Sequence, residues 1–73
     1  MIDTQCNAIL SDLLSGKAIT PMEALRDHGC FRLGARIYDL RERGYQIDRE
    51  MVEDEGKRFA SYYMTPEERA RHA

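Results

Sequence analysis

The chain has 73 residues, a net charge of −2 and only two cysteines. A chain this short wraps one hydrophobic core worth ~3–5 kcal/mol. Its acidic balance excludes a sequence-blind coat for nucleic acid, whose affinity comes from phosphates neutralised over a broad basic surface. No apolar run approaches the roughly 18 residues of a membrane helix, and no basic segment leads into an apolar one. The expectation is a soluble, cytoplasmic protein that does not act at a membrane.

The first predicted helix spans residues 4–15. Asp3 or Thr4 caps it, Cys6, Ile9, Leu10, Leu13 and Leu14 recur at helical spacing, and Gly16 stops it. Lys17, Ala18 and Ile19 are enough for an extended connection or a single bridge. A second helix starts at Thr20-Pro21-Met22-Glu23, where threonine caps, proline suits the first helical position and Glu23 completes a capping box. It is expected to turn Met22, Ala24 and Leu25 inward and to break at His28-Gly29.

A third helix is expected over residues 31–43, with Leu33, Ile37 and Leu40 as its inward stripe and Gly44 as its stop. The two helices, joined by a glycine-containing turn, have the helix-turn-helix pattern. Tyr45, Gln46 and Ile47 then alternate as a strand, with Tyr45 in the core. Asp54 to Lys57 forms a turn, and residues 59–64 return as the second strand of a wing. Thr65-Pro66-Glu67-Glu68 caps a final helical segment with almost no apolar residue, expected to fray. The fold class is therefore α+β: a small winged helix-turn-helix over residues 1–64, three helices followed by a β-hairpin wing, with a charged C-terminal helical tail over 65–73.

Charge is uneven along this plan. Arg32, Arg36, Arg41 and Arg43 outnumber Asp39 and Glu42 on the third helix, whereas Asp48, Glu50, Glu53, Asp54 and Glu55 face only Arg49. Arg32, Arg36 and Arg43 share a flank beside the apolar stripe, with Asp39 on the same line. Arginine's planar fork can bond guanine O6 and N7 or grip phosphate. The same spacing also describes a solvated face on which arginines pair with Asp39. Tyr38 points away from the stripe as a possible contact, and Lys57 and Arg58 follow the hairpin turn, where a wing could touch the sugar-phosphate backbone.

No nucleophile beside a base, carboxylate pair, phosphate-cradling glycine loop or metal motif is present, so no enzyme, cofactor, metal or small-molecule ligand is expected. Cys6 and Cys30 lack neighbouring ligands for zinc and sit at apolar-patterned positions, which favours buried thiols over a disulfide.

Over residues 4–63 the chain resembles the phage and prophage family of small winged helix-turn-helix DNA-binding domains. The resemblance is carried by Thr4-Gln5-Cys6 with Ile9-Leu10, Ile19-Thr20-Pro21 with Glu23-Ala24-Leu25, and Gly29-Cys30-Phe31-Arg32-Leu33. Ala35-Arg36-Ile37, Asp39-Leu40-Arg41, and Gly44-Tyr45 with Ile47 complete it. It implies a winged fold and a DNA-binding role, with Arg32, Arg36 and Arg41 on the helix that grips or reads DNA. The expected function is sequence-specific recognition of double-stranded DNA by a homodimeric transcription regulator. The alternative is a phage-borne, non-enzymatic inhibitor or adaptor whose acidic hairpin and tail engage a host protein.

Overall fold

In the computed structural model, residues 4–72 are described. The expected cap at Asp3 falls outside them. Helix α1 runs Thr4–Leu14, α2 Pro21–His28 and α3 Leu33–Glu42, followed by strands β1 (Asp48–Asp54) and β2 (Lys57–Tyr63) and helix α4 (Pro66–Arg71). This is the α+β order that the sequence predicts.

The three long helices close around one core. Cys6, Ile9 and Leu13 of α1 meet Leu33, Ile37 and Leu40 of α3, with Ile19, Ala24, Cys30, Ile47 and Met64 filling the gaps. Both cysteines are buried free thiols. The Cys6 sulfur lies 4.0 Å from the Arg36 carbonyl and from Asp39 Oδ2, a weak polar seam between α1 and α3.

Helix α2 begins as predicted. Glu23 N–H donates to Thr20 Oγ1 at 3.2 Å, and Thr20 N–H donates back to Glu23 Oε1 at 3.1 Å. Of the three residues expected inward Ala24 is buried, whereas Met22 is 70% exposed and Leu25 also lies at the surface. Ala24 and His28, one turn apart, carry the inward side instead, and His28 Nε2 lies 2.7 Å from Asp12 Oδ2, tying α2 to α1.

The turn between α2 and α3 shortens the third helix. Gly29 takes a left-handed conformation (φ 63°, ψ 25°) that lets its own N–H reach the Leu25 carbonyl and the Cys30 N–H reach that of Ala24. Arg32 follows with non-helical angles (φ −124°, ψ 64°), so helical geometry starts at Leu33, two residues later than residue 31, and ends at Glu42 with Arg43 as the cap. Phe31 is left in the turn, 85% exposed.

Residues 45–47 do not extend the wing as expected, because their backbone groups have other partners. Tyr45 N–H donates to the Leu40 carbonyl, Gln46 N–H to Glu68 Oε2 at 2.8 Å, and the Ile47 carbonyl accepts from Arg41. The ladder therefore starts at Asp48, and the acidic run becomes β1 itself, paired antiparallel from Asp48↔Tyr63 to Asp54↔Lys57. Glu55 and Gly56 make the two-residue turn, both with positive φ (51° and 79°), the twist that right-handed hairpins require. On its other edge β2 accepts a single bridge: Ile19 and Tyr62 exchange both backbone bonds at 2.8 and 2.9 Å.

Tyr45, expected in the core, is half-buried and packs on its edge, with its ring 4.5 Å from that of His72. Helix α4 buries an acid in place of an apolar face. Glu68 is only 3% exposed.

Candidate nucleic-acid interface

Helix α3 is fixed from within and open from without. Leu33, Ile37 and Leu40 recur at four and three residues and are buried against α1, which sets the rotation of the helix about its axis. With that stripe inward, Arg32, Gly34, Tyr38, Arg41, Glu42 and Arg43 are exposed, while Arg36 and Asp39 lie along the border of the core.

The predicted arginines have different surroundings. Arg32 and Arg43 form no ion pair among the described residues. Arg36 Nη2 lies 3.3 Å from Asp39 Oδ2, the pairing that the solvated-face reading expects. Arg41 Nε and Nη2 both donate to the Ile47 carbonyl, at 3.2 and 2.7 Å, so its guanidinium holds the link between α3 and the wing. Tyr38 is 63% exposed, and the Glu42 carboxylate one turn on raises its pKa.

Two clefts gather the candidate residues. One of about 210 Å³ is walled by Phe31, Arg32 and Arg36 with Gln5 and Gly29, at the start of α3. The other, of about 400 Å³, lies between the start of α2 and the wing, where Met22 and Pro21 face Lys57, Arg58 and Phe59. The sequence placed Lys57 and Arg58 at the hairpin turn but not beside α2. The strand register also sets Glu53 opposite Arg58 and Asp54 opposite Lys57, so both of these cations have an acid directly across from them. Sequence reasoning missed Phe31 and Met22 as surface features, since an apolar residue beside a helix reads as core unless the turn geometry is known.

Residues 4–67 match the winged helix-turn-helix domain family, which takes in the three helices, the hairpin and the start of α4. The chain belongs to that family. No curated protein and no solved structure matches it significantly. Within the winged helix-turn-helix domain the turn from Gly29 to Arg32 makes α2 and α3 the helix-turn-helix pair, with α3 in the position of the recognition helix. The domain type binds DNA in general and is typically non-enzymatic, and no metal-binding cluster occurs among the described residues. No helix among them is long and apolar enough to cross a membrane.

Proposed function

We propose that this winged helix-turn-helix protein is a sequence-specific binder of double-stranded DNA, a transcription regulator of phage type that seats α3 in the major groove. The observation that carries the reading is the orientation of α3. Its apolar stripe is locked onto α1, while Arg32 and Arg43 stand outward on a basic flank and Tyr38 on the other exposed side of the helix. Lys57 and Arg58, beside the start of α2, would supply phosphate contacts that orient the helix without reading sequence.

Homodimerisation belongs to the same reading. The molecule measures 36 × 28 × 19 Å, so one copy spans about one helical turn of DNA, ~34–36 Å, whereas two copies would reach successive major grooves.

The test is duplex binding across a salt series for the parent and Arg32→Ala. Affinity is expected to fall steeply with salt, and Arg32→Ala to lose about 1–3 kcal/mol if it reads a base, or to flatten the salt slope by about one if it grips phosphate. Absence of duplex binding by the parent at low salt would refute the proposal.

A second reading rests on the wing. Arg49, Glu50, Met51, Glu53 and Asp54 of β1 are all exposed, giving a mostly acidic strand that phosphate repels. Such a strand suits an inhibitor or adaptor that engages a basic surface of a host protein.

A further inference from the structure

Gly34 is the residue of α3 that the fold itself does not explain. The other four glycines sit at positive φ, in turns or at helix ends. Gly34 is the second residue of a helix, is exposed, and would meet nothing within 4 Å if it carried a Cβ. Alanine would fit there, and glycine weakens a helix by leaving its backbone freer when unfolded. The bare position therefore disfavours α3 and gains no contact inside the protein.

Its surroundings point outward. Phe31, at the turn before α3, and Tyr38, one turn after Gly34, are both strongly exposed, so two aromatic side chains flank a stretch where the main chain itself is the surface. Arg32 lies between Phe31 and Gly34 in sequence and adds positive charge at that end of the helix. The first residues of a recognition helix are the ones that approach base edges. A residue without a side chain is what allows a backbone to close onto a ligand.

We infer that Gly34 is the seating point of α3 on duplex DNA: the main chain there closes onto the groove floor between Phe31 and Tyr38, and any Cβ holds the helix away. The inference rests on the DNA-binding reading above. The occupant is duplex DNA, because Arg41 shares the line of Gly34 and Tyr38 along α3 and Arg32 stands at the start of the helix, and both are exposed cations that attract phosphate.

The experiment measures thermal midpoint and affinity for a duplex enriched from a random-sequence pool, using the parent, Gly34→Ala and Asn7→Ala, the last an exposed position of α1. Gly34→Ala is expected to hold or raise Tm by a few degrees while weakening binding on the order of tenfold. Asn7→Ala should also hold or raise Tm and bind as the parent does. Parent-like binding by Gly34→Ala would overturn the inference and leave the DNA-binding reading standing, and so would a drop in its Tm, which would make the glycine a requirement of the fold. If the parent enriches no duplex even at low salt, both readings fall together.

Discussion

Arg41 and Arg32 are the same residue type, exposed and nine positions apart, yet they have different surroundings. Arg41 holds the Ile47 carbonyl through two N–H groups, so its charge is part of the scaffold that links α3 to the wing. Arg32 has no such partner among the described residues. Arg41→Ala is expected to cost about 1–2 kcal/mol of stability, a drop in Tm of roughly 4–16 °C, whereas Arg32→Ala leaves Tm within a degree or two. Thermal unfolding of the two variants side by side checks this. A sequence cannot separate the two arginines, because the distinguishing partner is a backbone carbonyl six residues away, and side-chain spacing does not reveal backbone acceptors. Tyr38 was legible for the opposite reason: helical phase alone places it opposite Leu33, Ile37 and Leu40, and it is exposed.

At the scale of elements, the helices were legible where capping chemistry is local and blurred where tertiary hydrogen bonds intervene. Thr20-Pro21-Met22-Glu23 names its own helix start because all its partners lie within four residues. The inward side of α2 was not legible, since eight residues containing Met22, Ala24 and Leu25 fit more than one rotation and the His28–Asp12 pair helps fix which one occurs. The start of β1 was missed because Gln46 and Ile47 bond to Glu68 and Arg41 rather than to a strand. The hairpin turn itself holds a local strain. Glu55 adopts φ 51°, a conformation that asparagine enters more readily than glutamate. Glu55→Asn is therefore expected to stabilise the protein by up to about 1 kcal/mol, measured as a higher midpoint in urea with an unchanged slope. It also removes one negative charge from the wing, so the DNA-binding reading expects equal or tighter duplex binding from the same variant.

Over the whole molecule, α4 is joined to the body through a carboxylate. Glu68 accepts from Gln46 N–H at 2.8 Å, with His72 Nε2 at 2.7 Å and Arg71 Nη1 at 3.1 Å beside it. The Gln46 backbone bond, then the bond from His72, holds its pKa below the ordinary glutamate range. A carboxyl lowered on folding adds stability above its unfolded pKa and loses it as pH falls through the folded one. The parent is thus expected to be more stable than Glu68→Gln at neutral pH, with the gap closing in acid below the ordinary glutamate pKa. Tm measured against pH for both proteins tests it, and a constant gap would count against the carboxylate as its source. This link was invisible in a tail that reads as polar throughout, because its buried member is charged and its partner is a main-chain amide 22 positions earlier.

The Ile19–Tyr62 bridge has a consequence for mechanics. Two backbone bonds tie β2 to the segment that leads directly into α2, which couples the hairpin to the helix pair. A duplex laid against α3 would then meet a wing already set in place. To the extent that this coupling holds the wing in place, adjustment of groove width or bend would fall to the DNA. Sites of equal base content but unequal deformability would be sorted by the energy of bending them, a selectivity exercised at base pairs no side chain reaches.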